Sequence, residues 1–288
     1  MRLIDRRKQF RIDSDEALRV DAELVARWLV AFLRDECIRK RKVSRAIVGL
    51  SGGVDSAVTT YLCSRAFGPE NTFVFRMPYK ISSQASLDHA KLVVHDLGVI
   101  DRIIEITDMV DGYLLSAEKN AGDTRIGNVC ARCRMTILFD QSHKHGGLPI
   151  GTGNKTERLF GYFTWHADDA PPINPLGDLF KTQVYQLAEY LGVPKEIIDK
   201  APTADLIKNQ TDEGDWGITI HKADRILVRL IDGWPPEKLI EMGFPPEDVE
   251  NVRRKVDGTH WKRKLPTVAM LSDTAIGEYY LRPVDYWD

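Results

Sequence analysis

The chain has 288 residues, with 40 lysines and arginines against 42 aspartates and glutamates and a formal net charge of −2. That length accommodates one sizeable α/β domain with a buried core, and the near balance of charge argues against a general nucleic-acid or membrane-surface binder. No apolar run reaches transmembrane length and no signal peptide opens the sequence, so a cytoplasmic protein with its four cysteines reduced is expected.

Residues 15–38 carry Leu18, Val25, Leu29, Phe32 and Leu33 at helical spacing, while Leu24, Trp28, Val30 and Ala31 widen the apolar arc. The pattern predicts one long helix within a helical extension over 1–42, which covers the sheet or serves as a subunit interface. Ala46-Ile47-Val48-Gly49-Leu50 reads as a buried parallel strand. Ser51-Gly52-Gly53 follows at once, and Val54-Asp55-Ser56 opens a helix over about 55–65. Two glycines between strand and helix let backbone N–H groups converge on an anion, to which the helix N-terminus adds its positive dipole end. Asp55 would repel a bare phosphate and makes sense with a divalent cation between them. Neither G-x-x-x-x-G-K-[ST] nor, at this turn, G-x-G-x-x-G is present.

Further along, strands are predicted over 71–76 and 102–106, with a helix capped by Ser83 over 83–97 between them. Another helix over 123–139 leads to a strand over 148–152. That strand runs into Gly151-Thr152-Gly153-Asn154-Lys155-Thr156-Glu157, a second ligand-facing loop in which Glu157 is a first-turn dipole partner or a metal ligand. Strands alternating with helices imply a doubly wound parallel α/β sheet with flanking helices. Residues 165–178 read as a substrate-facing loop, 181–191 as a helix and 201–216 as a mobile acidic flap. Of these stretches, 165–172 and 204–217 are expected to be mobile without ligand and to close over it. Helical patterns resume from Lys222, near 237–242 and over 247–256, and the tail from 258 on yields no element.

The hexapeptide Ser51-Gly52-Gly53-Val54-Asp55-Ser56 resembles the pyrophosphate loop of the ATP-pyrophosphatase superfamily. Four further stretches make the resemblance specific to ammonia-dependent NAD synthetases. They are Gly127-Asn128 with Ala131-Arg132-Cys133-Arg134-Met135, the 151–157 loop, Lys181-Thr182-Gln183-Val184, and Ala201-Pro202-Thr203-Ala204-Asp205-Leu206 with Gln210-Thr211-Asp212-Glu213. The resemblance implies an adenine-nucleotide alpha-hydrolase-like, Rossmann-like fold spanning 1–288 without a glutaminase domain. It implies adenylation of the nicotinate carboxylate of deamido-NAD by ATP with Mg²⁺, then displacement of AMP by ammonia. Carried over by position, Gly49, Leu50, Ser51, Gly52, Gly53, Val54, Asp55 and Ser56 hold the phosphates. Thr152, Lys181 and Thr203 touch ATP, Arg76 the adenosine, and Asp55 and Glu157 the Mg²⁺. Arg132, Trp165, Asp178, Trp261 and Lys262 fall on the substrate side, and a homodimer is implied. In the acidic flap, Asp212 or Glu213 is expected to help bind ammonium. The chain departs from well-known members at 164–172 and at His260-Trp261-Lys262-Arg263.

The altered loop keeps open the amidation of a related carboxylate such as nicotinate mononucleotide. Two rivals come from other classes. A sulfur-transferring pyrophosphatase acting on RNA is prompted by Cys130-Ala131-Arg132-Cys133, which has no partner pair. A nucleotide-sensing module with a degenerate site conflicts with Asp55, Glu157, Lys181 and Thr203 standing together.

Overall fold

A computed structural model describes residues 15–201, 203, 211–264 and 267–272. Helix α1 (Ala22–Leu33) starts where the Asp21 side chain accepts from the Leu24 amide, and its last turns widen into a π-helical stretch at Arg34–Lys40. Residues 15–38 are therefore not one helix. A single 3₁₀ turn at Asp15–Leu18 comes first, and extended backbone at the cap separates it from α1.

Strand β1 (Ala46–Gly49), helix α2 (Val54–Phe67), strand β2 (Thr72–Arg76), helix α3 (Gln84–Leu97) and strand β3 (Ile100–Ile103) follow. Ser83 caps α3 as expected, accepting from the Ser86 amide. Beyond β3 the chain still follows β2's continuation, with the Ile104 amide donating to Arg76 O and the Ile106 amide to Pro78 O. The third strand thus starts two residues earlier than the sequence pattern indicates. Helix α4 (Thr107–Ala117), which the sequence reading lacked, and helix α5 (Asp123–His145) lead to β4 (Leu148–Pro149). The Leu148 amide donates to Arg45 O and the Ile150 amide to Ile47 O, so Pro149, whose nitrogen faces away from β1, removes no bond from this short ladder.

All four strands are parallel, in the order β3-β2-β1-β4. Alternate residues face opposite layers. Ala46, Val48 and Val74 pack against α1, α2 and α7 (Lys181–Leu191), whereas Ile47, Phe73 and Phe75 pack against α4 and α5. Both faces are covered, which explains the uninterrupted apolar runs of these strands. Winding reverses between β1 and β4, so their carboxyl ends open a crevice, the expected ligand position in such a sheet.

Helix α6 (Lys155–Phe160) leaves β4, and α8 (Lys195–Ile198) follows α7. A second apolar cluster joins α6 to α9 (Asp212–Trp216), α10 (Ile220–Ile231), α11 (Pro236–Glu241) and α12 (Pro246–Thr259). No helix among the described residues is long and apolar enough to cross a membrane.

Candidate functional site

The crevice at the β1/β4 reversal encloses about 310 Å³, within the range of small-molecule sites. One wall is the turn after β1. The Ser56 hydroxyl donates to Gly53 O at 3.0 Å and meets Ser51 Oγ at 3.1 Å, so the loop is held by its own serines. Gly52 sits at φ +83°, and a Cβ there would lie 2.1 Å from the Ser86 carbonyl oxygen. The close approach of α3 therefore admits only glycine.

Three ionisable side chains converge beside that loop. Lys181, only 3% exposed at the start of α7, is ion-paired to Asp55 Oδ2 and lies 3.7 Å from Glu157 Oε1. Asn154 Nδ2 donates to Asp55 Oδ1 at 2.9 Å, while its Oδ1 accepts from the Glu157 amide at 2.9 Å and Glu157 Oε2 accepts from the Asn154 amide at 3.2 Å. Glu157 takes the first-turn role that the sequence allowed. One oxygen completes a capping box on α6, and the other turns toward Lys181. Burial, followed by the charge of Asp55, pushes the Glu157 carboxyl up to about 8 against the pull of Lys181. Burial alone would depress the Lys181 ammonium, but Asp55 and Glu157 outweigh it and hold it above the ordinary lysine value.

Arg76, Thr152, Thr203 and Asp212 border the same cleft. Arg76 is held by Asp101 of the neighbouring strand, its Nε donating to Oδ1 at 2.9 Å. Asp212 is buried, its Oδ1 has no hydrogen-bond partner among the described residues, and burial raises its carboxyl. Among the described residues no group of three or more His, Cys, Asp or Glu side chains is arranged to hold a metal on its own.

A second group adjoins the cleft. Arg132 Nη2 donates to Trp165 O at 3.2 Å, and the Trp165 and Trp261 rings meet edge to face at 5.2 Å. Lys262 donates to Gly161 O and Phe163 O and lies 4.3 Å from the Phe163 ring centroid, so it braces this loop. Asp178 stands apart from the others, exposed and ion-paired with Lys155.

The two segments read as loose are more anchored than their composition indicates. Asp168 is bonded to the Thr164 amide at 2.8 Å, and Ala167 is buried. Residues 211–217 form a turn capped by Thr211, with Trp216 only 2% exposed. Residues 202 and 204–210 of the expected flap lie outside the described residues. Sequence reading missed Asn154 as an Asp55 partner, although Asn-x-x-Glu is a legible capping signal. It also gave no role to Arg134, although that residue stands in the 131–135 stretch, or to Asp168, and both line the cleft wall.

Behind the cleft, Asp224 of α10 accepts from Thr156 Oγ1 at 2.6 Å and from the amide and hydroxyl of Thr182, each at 2.9 Å. Burial pushes this carboxyl up to about 6 from an ordinary 3.8, against those bonds. A folded value above the unfolded one means stability contributed below pH 3.8 and lost as pH rises to about 6. Relative to the parent, Asp224→Asn should therefore gain on the order of 3 kcal/mol across that window and nothing above it. Chemical denaturation at pH 4, 5, 6 and 7 checks this; a constant difference across the window contradicts it.

A model of the NAD synthase family, described as "NAD synthase", matches residues 25–266. The "NH(3)-dependent NAD(+) synthetase" of Trichlorobacter lovleyi is 46% identical over 260 residues, which is 90% of this chain and 94% of that one. Among solved structures, an NMN synthetase from Francisella tularensis superposes with a TM-score of 0.78 at 30% identity, covering 87% of this chain and 99% of that one. The NH3-dependent NAD synthetase from Campylobacter jejuni, in complex with nitrate, gives a TM-score of 0.75 at 31% identity over 87% and 100% of the two chains. A glycine-built turn at the sheet edge, a lysine between two carboxylates and a match of this extent agree with one another, and the chain belongs to the NAD synthase family.

Proposed function

We propose that the protein is an ammonia-dependent NAD synthetase, a carbon–nitrogen ligase. It adenylates the nicotinate carboxylate of deamido-NAD with ATP and lets ammonia displace AMP. The observation that carries this reading is the meeting of the Ser51–Gly53 turn, Asp55, Glu157 and Lys181 in one cleft. The substrate carboxylate attacks the α-phosphorus, and the α–β bridging oxygen leaves with its electrons as pyrophosphate. Ammonia then adds to the acyl carbon, AMP departs with the C–O electrons, and one proton is released.

Each residue has a physical task in those steps. Loop amides and Lys181 stabilise charge gathering on the α-phosphate and leaving pyrophosphate. Arg76, pinned by Asp101, faces the adenosine, and Thr152 and Thr203 contact ATP. Asp55 and Glu157 suit Mg²⁺, which takes one or two carboxylates and completes its shell with substrate phosphates and water. Bound there, Mg²⁺ supplies Lewis-acid stabilisation of phosphate charge. Arg132, Trp165 and Trp261 form the substrate side, with Lys262 bracing it. Asp212, with an unpartnered oxygen, receives ammonium.

The resemblance to an NMN synthetase supports a second reading, in which nicotinate mononucleotide is the acceptor. Purified protein with ATP, Mg²⁺ and ammonium, given each acceptor separately, decides between them. The expected products are NAD, AMP and pyrophosphate from deamido-NAD. ADP and phosphate as stoichiometric products overturn the ligase reading, and faster turnover of the mononucleotide overturns the choice of acceptor.

The reaction needs no thiol. Cys130 is buried in the α5 core, and burial pushes both its thiol and that of Cys133 upward, away from reactive thiolate. The double variant Cys130→Ser/Cys133→Ser should keep ammonia-dependent amidation within about threefold, and bound zinc in the parent together with abolished activity would restore the thiolation reading.

A homodimer is also proposed. Helix α1 leaves Trp28 59% exposed, and Ile38 beyond it is 40% exposed, beside a groove lined by Ala26, Val30 and Ala31. Sedimentation should show a dimer at micromolar concentration; a fully active monomer contradicts it.

A further inference from the structure

Helix α10 presents Ile220, Ala223, Ile226 and Leu227 to the second apolar cluster, and Asp224 interrupts that face at 0% exposure. A carboxylate buried so completely is costly unless its oxygens are bonded. Here both are, and their partners are specific. Oδ1 takes the hydroxyl of Thr156, one residue before Glu157, and Oδ2 takes the amide and hydroxyl of Thr182, one residue after Lys181. The Lys181 amide in turn donates to Thr156 Oγ1 at 2.9 Å. One side chain from a third helix therefore ties the first turns of α6 and α7 together.

We propose that Asp224 is a positioning residue that holds Glu157 and Lys181 at their working separation through Thr156 and Thr182. The inference rests on the reading of Glu157 and Lys181 as the groups that meet ATP and its metal. The geometry favours it over simple lobe packing. An apolar residue would pack α10 at no desolvation cost, whereas a carboxylate accepting from both helix starts fixes their relative height and rotation. Hydrogen-bonded partners behind metal- and phosphate-binding groups change affinity or turnover by about 10–100-fold when removed.

Asp224→Asn keeps the shape but replaces the carboxylate's charge-assisted bonds with weaker neutral ones, and its N–H₂ either turns Thr156 from donor to acceptor or faces the Thr182 donors. Leu239→Ala, in α11 of the same cluster and 0% exposed, weakens the lobe without touching the network. Both variants are compared with the full-length parent below their melting temperatures, by calorimetry with ATP and Mg²⁺ and by turnover on deamido-NAD. For Asp224→Asn we expect about tenfold weaker ATP·Mg²⁺ binding or a 10–100-fold lower kcat, while Leu239→Ala keeps both within twofold despite a lower Tm. Binding and kcat both within twofold of the parent in Asp224→Asn overturn the proposal, as do equal losses in Leu239→Ala. Should Asp224→Asn not fold, Thr156→Val and Thr182→Val, which each remove one branch, are judged by the same criteria. Calorimetry needs no acceptor, so a parent inactive on deamido-NAD overturns the functional reading and leaves the binding result to decide this one.

Discussion

Lys181→Met is expected to lose both stability and activity, whereas Glu157→Gln loses activity alone. The ammonium of Lys181 neutralises Asp55 directly and Glu157 at 3.7 Å in a recess where it is 3% exposed. Removing it strands two carboxylates away from water, and breaking a buried pair from one side typically costs about 3–5 kcal/mol. Glu157→Gln acts oppositely, because it removes a carboxylate already disfavoured by burial and by Asp55. Its thermal midpoint in ligand-free protein should equal or exceed the parent's near pH 8. Turnover should nevertheless fall in Lys181→Met, Glu157→Gln and Asp55→Asn alike, by about 10²–10³-fold or more, the scale seen when a charge-stabilising group is removed from a transition state. Thermal melts with steady-state kinetics at saturating Mg²⁺ test the set. Near-normal turnover in any of the three removes that residue from the proposed machinery, and an unchanged melting point in Lys181→Met refutes its neutralising role.

Trp216→Ala should cost about 3–5 kcal/mol, the usual range for emptying a buried aromatic site. Its ring is 2% exposed and packs edge to face on Phe160 at 5.0 Å and on Tyr162 at 5.5 Å. Phe160 closes the helix that begins with Glu157's turn, and Asp212 starts the short helix that Trp216 ends. The same substitution should therefore raise the KM for ammonium as Asp212 shifts. Trp216→Phe should recover most of the stability by keeping an aromatic edge in place. Urea denaturation measures the first effect and ammonium titration the second. A loss under about 1 kcal/mol for the alanine variant would mean the site collapses around the smaller side chain.

Local chemistry was legible wherever a feature depends on neighbours in sequence. The turn between β1 and α2 declares itself because two glycines and a helix start must lie together to present amides to an anion. Ser83 and the Asn154/Glu157 pair are readable as caps for the same reason. Alternating strands and helices yielded the doubly wound sheet, and α7 was bounded correctly at Lys181–Leu191. Long-range partnership was not legible. Lys181 lies 126 positions from Asp55, and Asp224 lies 68 and 42 positions from Thr156 and Thr182. Which carboxylate meets which donor depends on how α6, α7 and α10 pack, and periodicity records only that a face is buried. The acidic stretch 211–217 shows the consequence. Its composition reads as a solvated loop, yet one indole placed between Phe160 and Tyr162 anchors it. Lys262, which the resemblance puts on the substrate side, is likewise engaged by two loop carbonyls. Sequence by itself determined the glycine turn between β1 and α2, the order of the sheet-forming elements along the chain and the family; tertiary packing alone decided which charges neutralise one another, because burial energy depends on the whole surroundings of a side chain.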